Sequence, residues 1–238
     1  MASMVKTAQT HPVVFGTEDI LRSLCDSVAK VLTVATGSRI HYASMVQRIH
    51  KTCLKPDIGC FVLFDGGFSG LVVINFSAAA AMELYEQYML NMGMGREDLA
   101  TAFTSDEVGN VMGELMNQSV GDFTGKISRE LQTQITQNQP KMLALTKQVM
   151  LSVDTHLDRP EARRVSFYTG RNNIFYLELA IDRTEFIQLN EFDADEAPDP
   201  DALIEQAHAA GAGQADVSAP AEAAADDDAD ALLKSLGM

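Results

Sequence analysis

Tryptophan is absent from the sequence, cysteine occurs three times and histidine five times. Cys25, Cys53 and Cys60 form an odd set without a CxxC pair, and His11, His41, His50, His156 and His208 are scattered. Neither a disulfide framework nor a zinc site has the spacing it needs, so the thiols are read as structural and no metal site is expected. Also missing are a GxSxG elbow, a phosphate-cradling glycine loop and an HExxH helix, which removes the common nucleophilic, nucleotide-dependent and zinc-peptidase chemistries. Any catalysis is left to ordinary polar side chains. Lysine and arginine total 18 against 33 acidic residues and form no cluster, which excludes nucleic acid as a partner because its binding requires a cationic face. The apolar runs at 58–64 and 71–76 fall far short of the ~20 residues of a membrane span. The first residues carry no signal-peptide pattern. A cytoplasmic protein without membrane attachment is expected.

What the sequence does contain is apolar patterning, with 46% hydrophobic residues in 238, sufficient for one good core. Charge is unevenly placed: residues 191–238 hold thirteen acidic side chains against one lysine, −12 of the net −15. Thr17 is positioned to cap a first helix, with Glu18 and Asp19 in its first turn, Leu21, Leu24, Val28 and Val31 at helical spacing and Gly37 as its stop. Residues 39–51 alternate as a strand, and 59–64 and 71–76 read as a hairpin turning at Asp65-Gly66-Gly67. Ser77 caps a second helix with Met82, Tyr85 and Met89 on one face, running to the Gly93/Gly95 break. A long helix follows from Thr104 to about 132, where Thr104-Ser105-Asp106-Glu107 has the form of a capping box. Strands are expected at 143–153, 164–169 and 174–181, giving an α+β fold with an antiparallel sheet. Segment 1–14 is read as flexible, 15–189 as the folded domain, and 190–225 as an Ala-rich acidic linker too polar to offset its ordering entropy.

At 100° per residue, Val108, Val111, Met112, Leu115, Met116, Ser119, Val120, Phe123 and Ile127 share one broad arc of the long helix. The opposite arc collects Glu107, Asn110, Glu114, Asn117 and Gly121, so two ExxN pairs point the same way. An acid and an amide three residues apart are neighbours that can engage two parts of one partner site. Gly121 costs the helix about 1 kcal/mol relative to alanine, which a close approach of another surface would explain. A merely solvated face is the plain alternative.

Asn110-x3-Glu114-x2-Asn117-x22-Pro140 resembles the pattern of the CheC/CheX phosphatases, in which Asp or Ser precedes x3-Glu-x2-Asn-x22-Pro, and residues 113–121 are similar to the CheX form. Asn110 is the departure. The rival pair Glu107/Asn110 has no proline at the matching distance, and Glu107 falls where a capping box expects it. The order of elements over about 15–185 also looks like CheX, with one motif helix. The resemblance implies a homodimer that binds a phosphorylated CheY-like response regulator and hydrolyses its aspartyl phosphate. Asn117 would position the attacking water, Glu114 would pair with the receiver's lysine, and Asn110, Gly121 and Pro140 would support them. The receiver brings Mg²⁺, and this chain needs no cofactor of its own. A noncatalytic response-regulator adaptor, or a relative of the flagellar switch proteins, is the alternative, and a structural dimerisation module is a third reading.

Residues 226–238 look like the end of CheZ, an unrelated phosphatase whose last segment docks on CheY: an acidic stretch, two leucines, then Ser-Leu-Gly and a large apolar residue. Leu232, Leu233, Leu236 and Met238 would anchor a short amphipathic helix that folds on contact, with Asp226, Asp227, Asp228 and Asp230 steering at its N-terminus. A flexible linker of about 35 residues spans roughly 30–35 Å, enough to reach around a receiver domain. Deleting residues 226–238 should therefore raise the apparent KM for phosphorylated receiver while kcat stays near the parent value, as steady-state phosphate release would measure.

Overall fold

The computed structural model describes residues 14–145, 147–153 and 155–187. The expected linker at 190–225 and the docking segment from Asp226 to Met238 lie outside the described residues. The chain enters through β1 (Val14–Gly16) and passes directly into α1 (Thr17–Thr36). Gly16, not Thr17, is the N-cap: its backbone N–H donates to the Asp19 carboxylate at 3.1 Å, the first-turn acid reaching back to the N-cap amide, and Thr17 is the first residue inside the helix. Gly37, at φ 63°, ends the helix in the left-handed conformation. Instead of one strand over 39–51, the chain forms β2 (His41–Tyr42) and β3 (Gln47–Ile49), followed by β4 (Thr52–Leu54). The hairpin comprises β5 (Ile58–Gly66) and β6 (Gly70–Phe76). Gly66 belongs to the strand, not the turn. Its φ is 154°, and a Cβ there would stand 2.0 Å from the Gln134 carbonyl oxygen.

Ser77 caps α2 (Ala78–Asn91), accepting from the Ala80 N–H at 3.2 Å. The long helix, α3 (Asp106–Glu130), is capped by Ser105, which accepts from the Val108 N–H at 3.3 Å. Thr104 is outside the helix, so Glu107 is not the acid of a capping box, and that expectation is corrected. The region read as one strand from 143 to 153 forms β8 (Lys141–Ala144) and β9 (Leu151–Val153), after a short β7 (Ile135–Gln137). β10 (Pro160–Tyr168), β11 (Ile174–Asp182) and β12 (Glu185–Ile187) complete the described chain.

The main sheet runs β2-β10-β11-β6-β5-β7, antiparallel throughout, with β3 also along β10 and β8 also along β5. Alternate residues of β5 (Ile58, Cys60, Val62 and Phe64) face the three helices and share the main core with α3. The other face carries a smaller apolar cluster around Leu54, Leu71, Val73, Ala162 and Ala180, covered by the β4–β9 ribbon. β1 and β12 form a separate ribbon. α3 is pinned to α1 by Asp122, which takes Lys30 at 3.0 Å and Lys126 at 2.9 Å. Burial opposes ionisation of Asp122, but its bonds to Lys126 and Lys30 prevail and hold the carboxyl at about 2. Burial pushes the Cys25 thiol up to about 12, assisted by Asp26, and raises that of Cys60 as well, which leaves both as unreactive core groups. Among the described residues, no helix is long and apolar enough to cross a membrane.

The polar centre of the sheet's outer face is Glu178, fully buried. It accepts from the Cys53 N–H at 3.0 Å and from Arg164 through Nε at 2.8 Å and Nη2 at 2.7 Å. Asn75 beside it accepts from the Lys55 N–H and donates to the Cys53 carbonyl, so β4 is held to the sheet by side chains as well as by apolar contact. Glu178→Ala strands the Arg164 guanidinium and leaves the Cys53 amide unsatisfied. Removing one member of a buried pair costs about 3–5 kcal/mol. A loss near the lower end is expected because Arg164 is partly exposed, read from the urea denaturation midpoint; a change under about 1 kcal/mol would remove Glu178 from the determinants of the fold.

Candidate functional site

α3 can be seated in one orientation only. Val108, Met112, Leu115, Met116, Val120, Phe123 and Ile127 are buried, together with Ser119 and Thr124, while Val111 is half-buried at the edge. The buried arc agrees with the periodicity of the sequence. The helix also contains Gly109, Gly113, Gly121 and Gly125, each costing about 0.5–1 kcal/mol relative to alanine. Burial of the seven large apolar side chains, at roughly 1.5–3 kcal/mol each, outweighs that cost several-fold, so packing and not propensity keeps α3 helical.

With that face buried, Glu107, Asn110, Glu114, Asn117 and Gly121 all emerge on the exposed side. Gln118 donates to Glu114 Oε1 at 2.7 Å, which stands the carboxylate against its own helix. Asn117 sits midway along the row Gly109, Gly113, Asn117, Gly121, Gly125, each one turn from the next. A Cβ at Gly109 would meet nothing within 4 Å, and those at Gly113 and Gly121 would meet only Met142 Cγ at 3.6 Å and Gln137 Nε2 at 3.9 Å. Internal packing therefore does not require these glycines. Their effect is to remove side chains from the helix one turn to either side of Asn117, leaving backbone that another surface can approach closely.

Asn110, near the start of the same exposed row, and Pro140 of the edge strand also face a neighbouring cleft. Both line a cleft of about 680 Å³ between the start of α3 and β8, together with Phe61, Phe103, Met142 and Leu143. The Asn110 side chain makes no hydrogen bond among the described residues. Glu114, Asn117 and Gly121 are not part of that lining, so the five motif positions divide between an exposed ridge and the cleft next to it.

Pro140 stands at an irregularity of the edge strand that its spacing alone did not reveal. Gln137 pairs with Phe64 and Lys141 with Phe61, so Asn138, Gln139 and Pro140 stand opposite only Val62 and Leu63. The edge strand carries one extra residue there, a β-bulge, at which a proline without an N–H is tolerated. Asn138 spans the gap, donating its N–H to the Leu63 carbonyl and accepting the Leu63 N–H at Oδ1, both at 3.0 Å. Residues five apart on a regular strand face opposite ways; across this bulge Gln137 and Met142 both turn toward α3. Met142 reaches Gly113, and Gln137 Nε2 donates to Asn117 Oδ1 at 3.0 Å and to the Asn117 carbonyl at 3.3 Å. Gln137 is the site residue that sequence reasoning missed. The only local signal was its alternation with Ile135.

An antiparallel sheet covered on one face by three helices is the CheX/CheC-like fold. Solved structures sharing it include the chemotaxis protein CheX from Desulfovibrio desulfuricans, 16% identical over 69% of this chain and 99% of that one, with a TM-score of 0.57. A putative chemotaxis protein from Desulfovibrio vulgaris Hildenborough is 14% identical over 69% and 97%, also at 0.57. A CheC-like superfamily protein from Shewanella sp. PV-4 is 16% identical over 69% and 97%, at 0.56. Within that fold, the chain belongs to the family described as protein of unknown function DUF3334, whose match spans residues 11–238. No curated protein matches the sequence.

The glycine row yields a stability test. Because a methyl group at position 121 meets nothing closer than 3.9 Å, Gly121→Ala should stabilise the isolated protein by up to about 1 kcal/mol, visible as a higher urea midpoint. Destabilisation would mean that the glycine serves internal packing after all.

Proposed function

We propose that this protein binds the phosphorylated receiver domain of a CheY-like response regulator and hydrolyses its aspartyl phosphate, with the exposed ridge of α3 as the docking face. The observation that carries this reading is the outward projection of Glu114 and Asn117 from one face, with glycines a turn to either side of the amide. A side-chain amide suits the task without a shifted pKa: its oxygen accepts from a water, its nitrogen donates, and catalysis is then positioning more than proton transfer. Glu114 is the anchor, pairing with a receiver lysine and exchanging its present partner Gln118 for it. The receiver supplies the phosphoryl group with its Mg²⁺; Asn117 orders the nucleophile, and the bare backbone at Gly113 and Gly121 admits the partner closely enough for it to reach. The segment Asp226–Met238 serves as a tethered second contact. A cytoplasmic homodimer fits this role.

A noncatalytic adaptor is the second reading, favoured by Asn110, which stands where the CheC/CheX pattern has Asp or Ser. Phosphate release from a panel of phosphorylated receivers separates the two. Asn117→Ala should reduce turnover by about 100-fold or more while receiver binding survives. Glu114→Ala should weaken binding and turnover together, and Gly121→Ala should weaken binding despite its more stable helix. Saturable binding with no phosphate release in the parent protein would establish the adaptor; turnover unchanged by Asn117→Ala would end the catalytic assignment.

A further inference from the structure

We infer that Gln137 is a positioning residue that sets which end of the Asn117 amide is offered to the partner, an inference whose catalytic consequence rests on the function proposed above. The terminal torsion of an asparagine is soft and roughly two-fold, so an exposed Asn117 left alone would present oxygen and nitrogen interchangeably. Gln137 removes that degeneracy. Its terminal group lies 3.3 Å from the backbone carbonyl oxygen of Asn117, which can only accept, so the atom facing it must be the Nε2 donor. The same Nε2 lies 3.0 Å from the Asn117 side chain, and the atom facing a donor must be Oδ1. The orientation of both amides thus follows from one backbone oxygen. At its other end Gln137 Oε1 lies 3.4 Å from the Thr124 hydroxyl, one turn along α3 from Gly121.

Two consequences follow for the chemistry. Asn117 keeps both Nδ2 hydrogens and the second lone pair of Oδ1 for a ligand, since no other partner for them occurs among the described residues. Donation to Oδ1 also polarises the amide and strengthens Nδ2 as a donor toward an anionic oxygen. Gln137 is the last paired residue before the bulge at Asn138–Pro140, across which it and Met142 share the side of the edge that faces α3.

The test uses the full chain and two variants. Gln137→Ala removes the donor, and the isosteric Gln137→Glu replaces it with an acceptor that would invert the Asn117 amide. The first readout is the side-chain ¹⁵N–¹H pair of Asn117, assigned by its loss in Asn117→Asp. Both variants should move it, with urea midpoints showing that the fold persists. The second is receiver dephosphorylation, where kcat should fall about tenfold in Gln137→Ala and further in Gln137→Glu, with KM within about twofold of the parent. Asn117 resonances unmoved in both variants overturn the inference whatever the enzyme assay gives. Unchanged kcat in both variants, where Asn117→Ala is inactive, overturns its catalytic part. Resonances that move while Asn117→Ala leaves phosphate release unaltered uphold the orienting role of Gln137 and instead overturn the phosphatase reading.

Discussion

The apolar arc of α3, pressed onto the helix-facing side of the sheet, is the constraint from which the rest of the site derives. Phe123 stands edge-on to Phe64 of β5 with ring centroids 5.7 Å apart, and Phe64 meets Phe68 in the same manner. Rotating the helix by one residue would bury Asn117 or Glu114 without a partner and expose Met112 or Val120, losing several kcal/mol on either count. The polar ridge faces outward because no other seating is open to the helix. That orientation is independent of whether anything binds there, so the ridge becomes informative only through what lies within it: an amide held by a neighbouring strand and flanked by glycines that packing does not require.

Buried carboxylates organise the remaining irregular parts. Glu83 on α2 accepts from Thr169, from the Arg171 N–H at 2.9 Å and from Asn173 at 2.7 Å, gathering the turn between β10 and β11 under the helix. Glu178 does the same for β4 on the opposite face. Each acid satisfies several donors that a loop would otherwise leave facing apolar side chains, and satisfied polar groups of this kind confer uniqueness as well as energy. The two faces of the sheet are thereby locked by different chemistry, broad apolar contact on one and a compact polar knot on the other.

The helices were legible in the sequence because their signals are local: Ser77 and Gly37 act where the pattern puts them, and the buried arc of α3 repeats every turn. The caps expected at Thr17 and Thr104 each missed by one residue: Asp19 takes the Gly16 N–H, so α1 starts one residue earlier, and Ser105 takes the Val108 N–H, so α3 starts one residue later. The division of 39–51 and 143–153 into separate strands was not legible, since it depends on which distant strand each piece pairs with. Gln137 was hidden for the same reason. Its role requires a register shift of one residue between β7 and β8, set by pairing with β5 more than seventy residues earlier in the chain. The ExxN ridge itself was legible, and the CheX/CheC-like fold expected from the resemblance is the fold observed.

The β1–β12 ribbon bears on how the fold carries mechanical load. Val14 pairs with Ile187 and Gly16 with Glu185, so the chain enters and leaves at the same end of a short ribbon whose Phe186 packs on Phe68. Tension applied through the flanking segments falls on one residue pair at a time, as in a zipper, and is never shared across the ribbon as it would be in shear. Gly16 stands at the closed end and continues into α1 without a linker, so the pull that follows rupture of the ribbon is delivered to the first turn of that helix. The seam yields before the core, and the load then passes to the start of α1 on one side and to the end of β11 on the other.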